Sequence, residues 1–491
     1  MTIRWLFGDQ LGTHFVDSDD QPVLIIEARG VFARRRFHRA KAHLVLSAMR
    51  HRVAELGDRC TYVQADTYSA GLAGVDEELS VCHPTSRAAL RFVQERRGVD
   101  VLPPRGFATT LADFERWVAA RGSRRLLMED FYRDTRRRLG VLMDGREPAG
   151  GRWNLDADNR EPPPRSATLG VSEPVWPHED DIDAAVREDL DRWERDGHVT
   201  FLGSDGPRRF AATRAEARAV FDGFIQDRLP TFGPFEDAML SRDQWMAHSL
   251  LSAPANLGLL DPLEIVARAE DAYRCGAAPL ASVEGFIRQI IGWREFVWQL
   301  YWHLGEDYRH LNALDARTPV PDWFAELDAD AVQASCLKGV LADMRHNGWV
   351  HHIPRLMVLG NFAMQRGWDP REVTDWFHRA FVDGYDWVMV PNVVGMSQYA
   401  DGGILATKPY AAGGAYINRM SDYCGDCRYD PRQRVGPDAC PFTAGYWSFL
   451  HRNRDRLQTN ARLAQPLSGL KRLTDLEALL AQEAERDSQA P

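Results

Sequence analysis

Residues 420–446 read MSDYCGDCRYDPRQRVGPDACPFTAGY, and the rest of the chain is organised around this stretch. It holds Cys424, Cys427 and Cys440, three of the seven cysteines in the sequence. A C-x2-C turn lets two thiolates converge on one metal centre, and zinc and iron–sulfur sites both use four ligands of this kind. Cys336, far upstream, is the best candidate for the fourth ligand. Spacing alone favours a structural zinc and an iron–sulfur cluster equally.

Length and composition predict a chain of two or three domains. The 491 residues are 44% hydrophobic, which is enough for more than one core. No apolar run approaches the roughly 18 residues that span a membrane, so we expect no membrane partner. The first residues, MTIRWLFGDQ, do not resemble a signal peptide, and we therefore expect a cytoplasmic protein with reduced thiols.

The charge pattern restricts the class of partner. A formal net charge of -10 argues against a general nucleic-acid binder that relies on an overall positive field, although it allows a local basic face. For any single basic run, the better interpretation is a solvated surface. The clearest such run contains Arg34, Arg35, Arg36, Arg39 and Lys41.

The first part of the chain alternates short apolar runs with helical periodicity. This alternation predicts a doubly wound α/β fold with a parallel sheet, in which ligands bind beyond the carboxyl ends of the strands. Gly8, Asp9 and Gln10 would lie at such a pocket. The predicted strands are Ile3–Phe7, Val23–Ala28, Thr61–Ala65, Leu79–His83 and Val99–Leu102.

We predict three segments: an α/β domain over 1–125, a connector over 126–210 and a helical domain over 211–491. Regular patterning fades in the connector, where Pro162, Pro163 and Pro164 exclude a helix interior. The acidic, helix-like segment 179–196 should lie on the surface. Beyond residue 211 the periodicity is helical, with Ser241 and Asp369 as predicted N-caps.

Polar groups interrupt the apolar helices of the last segment. Ser249 and Ser252 lie near a predicted helix start, where they could hold a diphosphate or act as ordinary caps. In GWVHHIPRLMVLGNF, two histidines precede Arg355, and Asp383 follows later in the chain. We expect an ion pair between Arg355 and Asp383, which could be purely structural.

Several motifs together carry a family resemblance. EGFIRQIIGWREF, HHIPRLM, PNVVGMSQYADGG, TKPYAAGGAYINRMSDYCGDCRYDP and ACPF closely resemble the iron–sulfur bacterial cryptochromes and photolyases. Repair members of that family act on pyrimidine (6-4) photoproducts. The likeness extends through nearly the whole chain, including GDQL and GGRWNLDADNR. It implies an α/β antenna domain, a connector and a helical FAD-binding domain, and it favours a [4Fe-4S] cluster over zinc, held by Cys336, Cys424, Cys427 and Cys440.

The resemblance also assigns roles to individual residues. It places His351 and His352 on the lesion side, where a histidine can supply a proton because its pKa lies near working pH. Tyr410 and Lys408 would face the DNA. Trp376 and Trp323 match electron-transfer positions. The residues implied near FAD are Ser249, Leu251, Ser252, Gln289, Trp293, Arg294, Arg355, Asp383 and Met389.

The sequence departs from the family pattern at several positions. Met389 stands where the family commonly has an acidic residue facing flavin N5, and Phe377 replaces a tyrosine. Residues 324–335, FAELDADAVQAS, form a longer and more acidic segment than the family has. Near the predicted antenna residues Asp9 and Gln10, Val31 and Arg34 replace residues typical of lumazine-binding members. Both 6,7-dimethyl-8-ribityllumazine and a deazaflavin therefore stay open as the antenna chromophore.

The leading functional prediction is a monomeric, light-dependent lyase that reverts (6-4) photoproducts in UV-damaged DNA. Photoexcited reduced FAD would donate the electron. The alternative is a blue-light photoreceptor cryptochrome that signals through flavin redox change. A third class is a DNA-binding protein whose cluster is structural and which performs no photochemistry.

Overall fold

The structure, a computed structural model, describes residues 2–486 and 489–491. Its amino-terminal part contains a five-stranded sheet in the order β3-β2-β1-β4-β5, with every pairing parallel. The predicted strands agree with the observed ones to within one residue at each end. The observed strands are β1 Ile3–Leu6, β2 Val23–Ala28, β3 Cys60–Ala65, β4 Leu79–Cys82 and β5 Val99–Leu102.

Burial of the sheet explains the apolar runs that predicted it. All six residues of β2 are buried, as in parallel sheets covered on both faces. Its one charged member, Glu27, accepts from Arg50 at 2.7 and 2.9 Å. The helices of this part are α1 Gly30–Ala33, α2 Arg39–Leu56, α3 Tyr68–Gly71, α4 Arg87–Gln94 and α5 Leu111–Arg121, of which α2, α3 and α4 pack on the sheet.

The connector is more regular than the sequence predicted. It contains α6 Met128–Leu139, the short hairpin β6 Met143–Asp144 with β7 Glu147–Pro148, and α7 Asp181–Arg195. The acidic segment lies on the surface as expected, with most of α7 exposed, and its one apolar face packs against α2. Three apolar residues on that face, Val186, Leu190 and Trp193, are buried, and the acidic composition concealed them.

The remainder of the chain is helical, and the part that the structure describes has no strand after residue 211 beyond isolated bridges. Within the same residues, no helix combines the length and apolar content needed to cross a membrane. The helices are α8 Arg214–Gly223, α9 Leu229–Phe235, α10 Ser252–Asn256, α11 Pro262–Arg274, α12 Leu280–Ile287, α13 Glu295–His303, α14 Asp322–Ala325, α15 Ser335–Asn347, α16 Asn361–Arg366, α17 Pro370–Ala380, α18 Asp386–Val390, α19 Gly414–Met420, α20 Pro441–Arg452, α21 Arg454–Leu457, α22 Ala464–Leu470 and α23 Leu476–Arg486.

Four segments of π-helix lie within or beside these helices. They are Phe224–Arg228, Arg288–Arg294, Pro354–Gly360 and Pro391–Ser397. A π-helical turn widens the helix locally and is frequent at functional sites. Segments 288–294 and 354–360 contain site residues predicted from the sequence, and segment 391–397 begins two residues after Met389.

The two predicted N-caps had different outcomes. Asp369 caps α17, since its carboxylate accepts from the backbone N–H of Arg371 at 2.8 Å and Pro370 occupies the first helical position. The prediction for Ser241 was wrong, because no helix follows it. Its backbone N–H and hydroxyl instead donate to Asp422 at 2.8 and 2.9 Å. Ser241 therefore ties its loop to the cysteine-rich segment.

The basic run that begins at Arg34 is only partly a solvated surface, which corrects the sequence interpretation. Arg39 is 8% exposed and donates to Asp205 at 2.7 Å. Lys41 is 6% exposed and reaches the helical part of the chain. Both lie near the start of α2, where the α/β part packs against other segments, so their charges face protein and not water.

Candidate functional site

The structure contains the predicted ion pair between Arg355 and Asp383. Two guanidinium N–H groups donate to the two carboxylate oxygens at 2.9 Å each, a bidentate geometry. The Nε–H donates to the carbonyl of Val350 at 2.7 Å, and the guanidinium carbon lies 4.2 Å from the centre of the Phe381 ring. Asp383 is 3% exposed. The pair is thus fixed in one geometry inside the helical part.

The two predicted lesion-side histidines have different environments. The ring of His351 is buried and stacks on His248, with centroids 4.1 Å apart and planes 22° apart. Burial lowers the pKa of His351 well below its ordinary value. His352 is exposed, although the surrounding protein and Arg355 lower its pKa to about 4. Because His352 is accessible and yet desolvated by surrounding protein, we infer that it borders a concave space, called the recess below, and that it is the one of the two that can meet a ligand.

The serine segment approaches the same ion pair. Ser252 begins α10 and is exposed, and its hydroxyl accepts from the indole N–H of Trp349 at 3.4 Å. The Trp349 ring also lies 5.8 Å from the guanidinium carbon of Arg355. Leu251 is buried, and its backbone N–H donates to the hydroxyl of Ser249 at 3.4 Å. Trp349, which sequence reasoning did not single out, therefore bridges the serine segment and the ion pair.

The π-helical segment 288–294 distributes its residues over two places. The Gln289 amide donates to the carbonyl of Gly285 at 3.1 Å, and Trp293 is half-buried. Arg294 points elsewhere: it pairs with Glu295 at 3.1 Å and lies over the ring of Phe107, 4.6 Å away. Because Phe107 belongs to the α/β part, the Arg294 guanidinium lies at the boundary between the two parts of the chain.

An aromatic chain links the two predicted electron-transfer tryptophans. Trp376 is fully buried, and its ring lies 4.5 Å from that of Phe324. Phe324 lies 4.7 Å from Trp368, which lies 6.1 Å from Trp323. Trp323 is half-buried. Trp368 was missed by sequence reasoning, since nothing in its local pattern relates it to two tryptophans at other positions.

Two of the predicted contacts lie at the periphery. Lys408 is exposed and Tyr410 is half-buried.

At the end of β1, Asp9 is half-buried and accepts from the hydroxyl of Thr85, and burial raises the pKa of its carboxyl. Gln10 is fully buried, and its amide donates to the carbonyl of Cys82 at 2.9 Å. Of the two residues predicted at the antenna pocket, only Asp9 has an accessible side chain.

The four predicted cysteine ligands line a single small cavity, although Cys336 lies far upstream of the others. Cys336 is the second residue of α15, and Cys440 is the N-cap of α20. Backbone N–H groups of Phe442 and Thr443 point at the Cys440 sulfur and favour its thiolate. Burial nevertheless raises the pKa of the Cys336 and Cys440 thiols overall. A metal that displaces the protons would relieve this cost.

Comparisons with known proteins bear on the whole arrangement. A family model described as deoxyribodipyrimidine photo-lyase-related protein matches residues 4–199. A (6-4) photolyase of Agrobacterium fabrum is 41% identical over an alignment that covers 96% of this chain and 95% of the relative. The chain belongs to the (6-4) photolyase family. The resemblance that the motifs predicted is thereby confirmed.

Solved structures of the photolyase and cryptochrome class share the fold. A bacterial class III photolyase from Agrobacterium tumefaciens matches with a TM-score of 0.59 and 15% identity, covering 93% of this chain and 98% of that one. A cryptochrome from Synechocystis matches with a TM-score of 0.52 and 11% identity, covering 85% and 88%. The prediction of an α/β part followed by a helical part is confirmed by this fold.

Proposed function

We propose that this protein is a light-dependent DNA lyase that reverts pyrimidine (6-4) photoproducts. One observation carries the proposal: His352 alone of the histidine pair is accessible, and it lies close enough to the bidentate Arg355–Asp383 pair for Arg355 to lower its pKa. The full-length likeness to a (6-4) photolyase supports the choice of lesion. Within this recess an imidazole is available to a ligand, and the neighbouring charges are held fixed.

The residues around the recess fit FAD. One buried polar atom beside the histidine pair, Nε2 of His248, has no hydrogen-bond partner among the described residues. An unpaired buried polar atom costs free energy, so a polar group that enters to pair with such atoms stabilises the fold. Ser249 and Ser252 would hold the diphosphate, and Arg355 and Asp383 would flank the isoalloxazine ring. Gln289, Trp293 and Met389 would complete the wall.

When bound in its reduced form and excited by light, FAD would lend the lesion one electron, which would return to the flavin after the abnormal bond has broken, so that repair involves no net oxidation or reduction. The protein's part is to position the flavin and the lesion, to exclude water and to move one proton. Asp383 keeps Arg355 oriented through two hydrogen bonds. His352 is neutral near pH 7 because its pKa is about 4, and an anionic lesion against it would favour the imidazolium that donates a proton. Met389 cannot relay a proton, so this task falls to His352.

We also propose that the cysteine cavity holds a [4Fe-4S] cluster. Among residues 2–486 and 489–491, the one set of three histidine, cysteine or carboxylate ligand atoms within 4.8 Å of one another lies elsewhere, at His51, Asp180 and Asp183. A tetrahedral zinc with Zn–S bonds of about 2.3 Å would hold its sulfurs about 3.8 Å apart. The cysteine sulfurs are more widely spread, which favours a multi-iron centre over a single zinc.

An antenna chromophore, 6,7-dimethyl-8-ribityllumazine or a deazaflavin, would bind beside Asp9. The Asp9 carboxyl lies at the end of a central strand, where ligands of doubly wound folds bind. Burial, together with the negative charge of Asp9, raises the pKa of both Tyr68 and Tyr385, so all three side chains belong to the same neighbourhood. Extraction of this pigment would distinguish the two candidates.

DNA would bind with its backbone along a groove that is lined by three arginines and also by Asp422 and Asp426. The groove has a volume of about 480 Å³ and lies between the connector, the loop at Ser241 and the cysteine-rich segment. Arg165, Arg242 and Arg419 line it, and none of the three has an ion pair among the described residues. Most arginines of this acidic chain are paired, so three unpaired ones on one groove are suited to phosphate groups.

Replacing Arg165, Arg242 and Arg419 together by glutamine is expected to flatten the salt dependence of DNA binding. Each lost phosphate contact removes about 0.9 from the slope of log K against log salt, so the slope should fall by about 2.7 in magnitude. Fluorescence anisotropy with a duplex at several salt concentrations measures it. The matched control replaces Arg97, Arg146 and Arg195, which are exposed, lack ion pairs among the described residues and lie outside the groove. Equal slopes in both triple variants would contradict the assignment.

The function is tested with the full-length purified protein. Its chromophores are extracted and identified, and the reduced protein is then illuminated with blue light in the presence of a (6-4) oligonucleotide. Restoration of the unmodified bases, absent in the dark, is the expected result. Bound FAD that responds to light without repair would favour the photoreceptor alternative. The absence of any flavin would favour a DNA-binding protein with a structural cluster.

A further inference from the structure

Lys41 crosses from the α/β part into the helical part of the chain. Its ammonium donates to the carbonyl of His378 at 2.7 Å and also to the carbonyl of Gly384. The nitrogen lies 4.8 Å from the centre of the Phe37 ring and 5.4 Å from that of Tyr385. A buried lysine is costly unless it is paired, and here backbone carbonyls and aromatic faces provide the pairing.

The carbonyls that Lys41 contacts belong to a tight turn. His378 lies in the last turn of α17, where carbonyls lack helical partners and a cation is favoured by the helix dipole. At Gly384 a Cβ atom would lie only 2.7–3.0 Å from the carbonyl oxygens of His378, Phe377 and Phe381. The turn after α17 is therefore folded back against the end of the helix, and Lys41 contacts the carbonyls on both sides of this turn.

This turn carries Asp383. Its carboxylate faces Arg355, its carbonyl accepts from the Asn256 amide at 3.0 Å, and the next carbonyl along, that of Gly384, accepts from Lys41. Asp383 and the adjoining turn therefore have three hydrogen-bonding partners, and Lys41 is the partner that the α/β part contributes. None of the contacts of Lys41 involves the recess itself.

We propose that Lys41 is a positioning residue, contributed by the α/β part, that fixes the turn of Asp383 and thereby the orientation of Arg355 towards its ligand. The inference rests on the proposed function, which places FAD against Arg355. It adds a second consequence, since the contribution of Lys41 to holding the turn is strongest while the lysine keeps its charge.

That charge is sensitive to pH near neutrality. Burial lowers the pKa of Lys41 to about 7, against the opposing effects of Asp383 and Asp386. Arg35 lowers it further and itself lies 2.6 Å from Nδ1 of His378. The other ionisable groups facing this site are Tyr385, His378 and Arg309, the last of which pairs with Asp386. As pH rises through about 7, the Lys41 ammonium loses a proton. The two hydrogen bonds to carbonyls then have a neutral donor and become weaker.

The experiment compares the wild type with Lys41→Met, Lys41→Arg and the control Arg36→Met. Arg36 is also a cation between the two parts of the chain, contacting Phe201 and Glu326, but it does not touch the turn. Hydrogen exchange of residues 381–386 in the full-length protein is the first readout. Lys41→Met should exchange about tenfold faster there, and the control should not.

The second readout is the FAD dissociation constant between pH 6 and 8.5. In the wild type it should rise about tenfold with pH, in Lys41→Met it should be high and constant, and in Lys41→Arg it should be constant because an arginine keeps its charge. An unchanged pH profile in Lys41→Met, or an equal change in Arg36→Met, would overturn the proposal. If no variant binds FAD, the proposed function fails, while the exchange data still decide whether Lys41 holds the turn.

Discussion

Replacing His352 with alanine should lower the rate of light-driven repair by about 10²–10⁴-fold, the usual contribution of a positioned proton donor. The imidazole of His352 is accessible, and desolvation by the surrounding protein, with Arg355 as the second cause, lowers its pKa to about 4. Met389, the other residue that the family resemblance places at the flavin, has a thioether that cannot carry a proton in its stead. Product formation per absorbed photon with a (6-4) oligonucleotide measures the effect, and FAD content should stay unchanged.

The neighbouring histidine provides a matched control. His351 is buried against His248, so His351→Ala should leave a cavity and lower the free energy of unfolding by about 2–4 kcal/mol, with less effect on repair per folded molecule. If His352→Ala repairs as well as the wild type, or if His351→Ala abolishes repair while the fold is retained, the assignment of the proton donor is wrong.

Replacing Cys424 with serine is expected to remove the broad iron–sulfur absorbance and to release FAD with it. The four cysteines come from α15, the loop after α19 and the start of α20. Loss of the proposed cluster would therefore remove a link between segments that are distant in sequence. We expect a loss of at least about 4 kcal/mol in the free energy of unfolding, as is typical when a metal site is lost. Urea unfolding and absorbance spectra measure both effects.

Cys275 is a suitable control for this substitution, because it is exposed and lies outside the cavity. Cys275→Ser should leave both spectra and stability unchanged. If Cys424→Ser lost only the broad absorbance and kept FAD and full stability, the proposed cluster would not stabilise the fold. A redox role would then have to be considered in its place.

Much of the site was predictable as a set of residues and little of it as an arrangement. The motifs named Arg355, Asp383 and the histidine pair, and the ion pair followed from opposite charges in an apolar setting. They could not tell His351 from His352, because adjacent residues at a helix start differ only in direction. Trp368 was missed for a related reason: a ring between two distant tryptophans has no local signature.

The sequence by itself determined the local elements and the family, and it named the four cysteines that the structure brings to one cavity. Strands, the Asp369 cap and the helical periodicity depend on neighbours within a few residues, so they can be read along the chain. Only the tertiary structure decided that Lys41, in a run that looked solvated, is buried against the turn of Asp383, and that one histidine faces the recess. Burial depends on segments hundreds of residues apart, and no local pattern records which of them will meet.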